Sequence, residues 1–227
     1  MLDLAPLTAA PGMSAVRAKT ARSTAIDYLA DLARVLVLVP GEAIGQAVAM
    51  LLDARARGKR VYVMGNGGSA ATASHFVCDL VKTARVAGFD PVRAFALTDN
   101  TPLMTAWAND SAYEHIFAEQ VSALVNPDDV VVGISASGNS PNIVAGFRAA
   151  AEAGARTIGL VGFDGGKARD VVDVAIHVDS HDYGLVEDTH SALTHAMATA
   201  VRRALESDAH IAQFADQILA DAHIGAA

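Results

Sequence analysis

One cysteine, Cys78, stands in 227 residues, so no disulfide can form within the chain. A reducing compartment suits such a chain, and a cytoplasmic location is expected. No stretch is both long and apolar enough to span a bilayer, which argues against a membrane protein. Residues 1–13 also lack a basic segment followed by an apolar core, the marks of a secretory leader. Basic residues are sparse as well. The 17 Lys and Arg form no block and the formal net charge is −8, so no nucleic-acid partner is expected. Neither glycine-rich loop ends in Gly-Lys-Ser/Thr, which argues against a nucleotide-triphosphate loop.

What remains is an apolar chain long enough for one α/β domain and too short for two comfortable ones. Residues 1–22 are rich in Ala, Thr and Pro without a sustained period, and read as a flexible N-terminal tail. Residues 23–227 read as a single domain. Ile26, Leu29, Leu32, Ala33 and Leu36 recur at helical steps, which predicts a helix over residues 23–39 that Pro40-Gly41 ends. A second helix is predicted over 42–57. Neither has a sheet partner in sequence, so both are candidates for packing between subunits. Strands are predicted at 60–64, 92–97, 129–135, 157–161 and 174–178, with helical segments at 70–86, 102–124, 142–153 and 167–171. Strands apolar on both faces and separated by helices imply α/β architecture: a doubly wound, five-stranded parallel sheet with flanking helices and an N-terminal helical extension. A long helix over 187–205 and a separate one over 211–222 close the chain.

Two loops of one kind follow strands and open helices. They are Gly65-Asn66-Gly67-Gly68-Ser69 and Gly133-Ile134-Ser135-Ala136-Ser137-Gly138-Asn139-Ser140. Glycine lets backbone approach a ligand closely, the first N–H groups of a helix point at it, and the helix dipole favours its negative charge. Serine hydroxyls add uncharged donors. In a parallel sheet such loops lie at the carboxyl ends of the strands, where ligands bind. A small phosphorylated ligand is the expectation. Gly65, Gly67 and Ala70 also fit the dinucleotide fingerprint, but the second loop then offers three serines that such a cofactor does not need. Read separately, the first loop is a tight strand-to-helix turn and the serines of the second are helix caps.

Four residues carry a second signal. His75 and Asp79 are four apart on the helix that the first loop opens, so they share a face. Glu187 and His195 are eight apart on the late helix, roughly 80° from one another around its axis. If the two helices cross, two imidazoles and two carboxylates make a site for a divalent metal such as zinc. Taken singly, each histidine is an ordinary surface or core residue.

This set of motifs resembles the sedoheptulose 7-phosphate isomerases (phosphoheptose isomerases) of the sugar isomerase (SIS) domain superfamily, over residues 24 to 205. The resemblance implies an SIS-type sheet of flavodoxin-like topology and a metal-assisted aldose–ketose isomerisation of sedoheptulose 7-phosphate to D-glycero-D-manno-heptose 7-phosphate. It implies metal ligands at His75, Asp79, Glu187 and His195, with a divalent ion, zinc foremost. Substrate contacts are implied at Asn66, Gly67, Gly68, Ser69, Asn109, Asp110, Ser135, Ala136, Ser137 and Ser140, and extend to Asp79 and Glu187. A homotetramer with sites between subunits is implied too. Chemically, a base must take a proton from the carbon beside a carbonyl and an acid must complete the shift through an enediolate. Asp79 is assigned as the base and His195 as the acid. The family carries Glu where Asp79 stands and Gln where Glu187 stands. Two other classes stay open: a non-catalytic sugar-phosphate binder or partner of a replication initiator, and another sugar-phosphate isomerase or lyase of the same fold.

Overall fold

A computed structural model describes the backbone of residues 11–224 and side chains within residues 15–211. Its elements run α1 (Pro11–Leu38), α2 (Gly41–Ala56), β1 (Arg60–Gly65), α3 (Gly68–Cys78), β2 (Arg93–Ala96), α4 (Thr101–Asp110), α5 (Ala118–Leu124), β3 (Val130–Ser135), α6 (Pro141–Glu152), β4 (Arg156–Val161), α7 (Gly166–Arg169), β5 (Val174–His177) and α8 (Tyr183–Ile224). The five strands are parallel in the order β2-β1-β3-β4-β5. After β2 the winding reverses, so β1 and β3 lie side by side with their following helices on opposite faces. That leaves a crevice at their carboxyl ends, the usual ligand position in such sheets.

Alternation along the strands builds a core on each side. Val61 and Val63 of β1 with Val130, Val132 and Ile134 of β3 pack under α2, α3 and α8, against Leu51, Phe76, Val186, Leu193 and Met197. Tyr62, Met64 and Val131 point the other way, against Phe117, Ile143 and Phe147 of the α5 and α6 layer. A Cβ on Gly133 would stand 2.4 Å from the Phe147 ring, so that glycine admits α6 close to the sheet.

Four sequence expectations are corrected. Helix α1 begins at Pro11, so residues 11–22 of the expected tail are helical; residues 1–10 lie outside the described residues. The two closing helices are one, α8, because residues 206–210 hold neither Gly nor Pro to interrupt the backbone pattern. The helix expected over 102–124 breaks after Asp110, where the polar Asn109-Asp110-Ser111 run offers side-chain partners that compete with helical bonding. Finally, α3 gives way at Asp79 to a π turn, Asp79–Thr83. Among the described residues no single helix is long and apolar enough to cross a membrane.

Candidate active site

The first loop leaves β1 and turns into α3 within three residues. Gly67 takes φ +54°, and a Cβ on Gly65 would fall 2.4 Å from the Ser69 carbonyl oxygen, so the turn requires glycine at both places. Asn66 is fixed by a reciprocal amide pair with buried Asn142, at 2.9 and 2.8 Å, and accepts a further bond from the Tyr113 hydroxyl at 3.1 Å. Asn142 sits in the first turn of α6, so this pair ties the first loop to the helix that the second loop opens.

The second loop folds on its own serines. Ser135 Oγ accepts from the Gly138 amide and Ser137 Oγ from the Asn139 amide, each at 3.2 Å. Gly138 has φ +63°, and a Cβ there would lie 2.0 Å from the Gly165 carbonyl oxygen. Between the two loops lies a cleft of about 160 Å³ lined by Asn66, Ser69, Ile134, Ser135, Ala136, Ser137, Ser140, Tyr183 and Glu187. Among the described residues that line it, Glu187 is the one acid. The Glu187 carboxylate oxygens stand 3.0 and 3.3 Å from the point above Gly68 that a side chain would occupy. Tyr183 reaches the cleft from the start of α8, its ring edge-on to Phe163 at 4.8 Å.

Helices α3 and α8 also bring His75, Asp79 and His195 together. Their ligand atoms lie within 4.8 Å of one another. Asp79 Oδ2 is 2.8 Å from His195 Nδ1 and 3.6 Å from His75 Nε2, while Oδ1 accepts from the Thr83 hydroxyl at 3.0 Å. The two imidazoles meet edge to face, centroids 4.8 Å apart. Asp79 is buried, and no described group meets its Oδ2 with hydrogen-bond geometry, despite the short approach of His195. A buried anionic oxygen flanked by two nitrogen bases and lacking a donor fits a cation among them. The π turn places Thr83 beneath Asp79, and such turns gather at functional sites.

Not every expected residue converges. Glu187 lies outside the His75, Asp79 and His195 cluster; eight residues of α8 separate it from His195, a rise of roughly 12 Å. Asn109 and Asp110 end α4 exposed, bonded to each other at 2.7 Å, and do not line the cleft. Gly67 and Gly68 shape the loop rather than the cleft wall. Asn142, Thr83 and Tyr183 were not singled out from sequence. Of the three, Thr83 had a visible signal, its four-residue spacing from Asp79.

Residues 26–162 match the family model described as an SIS domain. Fold and match together define the class, a sugar isomerase domain with both Gly/Ser loops and the His75–Asp79 pair inside the matched span. Relatives narrow it. The phosphoheptose isomerase of Geotalea daltonii is 43% identical over 162 residues, covering 71% of this chain and 84% of its own. The solved phosphoheptose isomerase of Neisseria gonorrhoeae superposes with a TM-score of 0.69 at 33% identity, over 82% of this chain and 96% of its own. That of Francisella tularensis gives 0.71 at 28%, over 84% and 98%. The chain belongs to the phosphoheptose isomerase branch of the SIS domain family and is an isomerase.

Proposed function

We propose that the chain interconverts sedoheptulose 7-phosphate and D-glycero-D-manno-heptose 7-phosphate by a metal-assisted 1,2-hydrogen shift through an enediolate. One observation carries this reading: the helices that bound the serine-lined cleft, α3 and α8, also hold the His75, Asp79 and His195 cluster. In a chain of net charge −8 the phosphate is bound by local neutral donors. The hydroxyls of Ser135, Ser137 and Ser140 and the N-terminal turn of the 12-residue α6 supply them. Asn66 and Ser69 then face the sugar hydroxyls.

His75, Asp79 and His195 would hold the ion, and two imidazoles with one carboxylate suit zinc with a position left open. When bound, it supplies Lewis-acid stabilisation of the negative charge that develops on the substrate oxygens. The remaining chemistry belongs to the chain. A carboxylate takes the proton from the carbon beside the carbonyl and returns it to the neighbouring carbon. His195 keeps a proton on Nε2, the ring nitrogen not engaged with Asp79, and passes it to the carbonyl oxygen. Exposed Ile26, Leu29, Val37 and Leu38 on α1 support association into a homotetramer with sites between subunits, and a cytoplasmic place in heptose biosynthesis completes the reading.

Zinc-loaded protein incubated with sedoheptulose 7-phosphate in deuterated water is expected to form an aldose carrying solvent deuterium beside the new carbonyl. Chelation should abolish this and added zinc restore it. A purified protein that neither retains a divalent ion nor exchanges that hydrogen refutes the proposal.

A further inference from the structure

We propose that Tyr28 of α1 is a positioning residue for the sugar cleft: it holds the opening turns of α8, from which Tyr183 and Glu187 line that cleft, in the place that binds the sugar phosphate. Tyr28 itself lies outside both the cleft lining and the metal cluster. The inference rests on the isomerase reading above and adds a residue that acts through others.

The Tyr28 hydroxyl donates to Asp188 Oδ2 at 2.6 Å, a short bond to a charged acceptor and so one of the stronger kind. A Cβ on Gly184 would stand 2.9 Å from the same hydroxyl, so the phenol lies against bare backbone there. Gly184 and Asp188 are four apart and share one stripe of α8. Tyr183 and Glu187, each one residue earlier, form the adjoining stripe, roughly 100° around the axis. Over so short a span a helix moves as one body, and fixing the first stripe fixes the second. The bond to Asp188, then burial and the charges of Asp188, Asp182 and Glu187, push the Tyr28 pKa up to about 12. The phenol therefore stays a donor at any working pH.

The place of Tyr28 on α1 supports this role. Residues 15–27 are exposed, and half-buried positions begin at Tyr28 and recur at Asp31, Leu32 and Val35, the helical stripe that rests on the rest of the domain. Among the described residues the Tyr28 bond is the one side-chain hydrogen bond that leaves α1; the others close within that helix. At its start α8 is held locally by Asp182, which accepts from the Leu185 amide at 3.0 Å, and by the contact of Tyr183 with the Phe163 ring. Helix ends fray because their first amides have no partner within the helix, so a tether from another element matters most there.

Tyr28→Phe keeps the ring and removes the donor. With zinc-loaded protein and sedoheptulose 7-phosphate, KM should rise about tenfold while kcat stays within about threefold, because cleft contacts to the ground state and to the transition state weaken alike. Asp188→Ala should do the same, and the double variant should be no worse than the more affected single one, since both changes remove one bond. Zinc bound per chain and mass in solution should match the unaltered protein. An unchanged KM in Tyr28→Phe overturns the proposal, even where the urea midpoint falls, since the bond is then structural only. Effects of Tyr28→Phe and Asp188→Ala that multiply in the double variant overturn it too, as does a KM rise accompanied by lost zinc or altered mass, which passes through fold or assembly. An unaltered protein that does not isomerise the substrate overturns the isomerase reading and this proposal with it.

Discussion

His190 should make this fold sensitive to mild acid. It lies on α8, 1% exposed, and neither ring nitrogen has a hydrogen-bond partner among the described residues. Burial pushes its pKa down from 6.5 to about 4, and the nearby Val161 backbone offsets this only in part. The sign follows from proton binding. In the unfolded chain the ring takes up a proton as the pH falls through 6.5, whereas in the folded chain it does so only near 4. The unfolded state binds more protons across that window, so stability is full above about 6.5 and drains away as the pH falls toward 4. The interval corresponds to roughly 3 kcal/mol, a large share of the ~5–15 kcal/mol that holds a domain together. Carboxylates contribute acid sensitivity too, so the measurement is a difference. Urea unfolding of the unaltered protein and of His190→Leu at pH 7, 5.5 and 4.5 should show the variant gaining on the original as the pH falls, by about 2–3 kcal/mol at the lowest point. Leucine is apolar, similar in size, and leaves no ring nitrogen to charge. Parallel stability curves would refute the argument, since they would mean that His190 has a partner or reaches water in the folded state.

Two further substitutions test the loops. Gly138→Ala forces a side chain into φ +63° and against the Gly165 carbonyl oxygen, and should cost at least about 3 kcal/mol in urea unfolding while weakening binding of inorganic phosphate by calorimetry. An unchanged midpoint would show that the loop can rebuild without the close approach. Asn142→Leu removes the partner of the Asn66 amide and should cost about 1–3 kcal/mol and raise KM for the sugar phosphate, with the KM effect absent if Asn66 plays no part in binding.

Local chemistry accounts for what could be read in one dimension. β-branched runs such as Val130-Val131-Val132 favour strands buried on both faces, and the turn at Gly67 needs a residue that tolerates positive φ. His75 and Asp79 share a face because an α-helix repeats every 3.6 residues, and that spacing was legible. Breaks were less so. The polar run at 109–111 and the lack of Gly and Pro over 206–210 fit the break and the continuation, but such local preferences are too weak to fix either boundary in advance.

By itself the sequence determined the parallel sheet, the two Gly/Ser loops at its carboxyl edge and the supply of metal-competent side chains. Only the tertiary structure decided which of them meet. The crossing of α8 over α3 brings His195 to Asp79 and sends Glu187 into the cleft, roughly two helical turns away, although the helical spacing alone allowed all four to converge. It also buries His190 and closes the Asn66–Asn142 pair. Such meetings join residues far apart in the chain and are fixed by how whole helices pack on the sheet, which short-range periodicity does not encode.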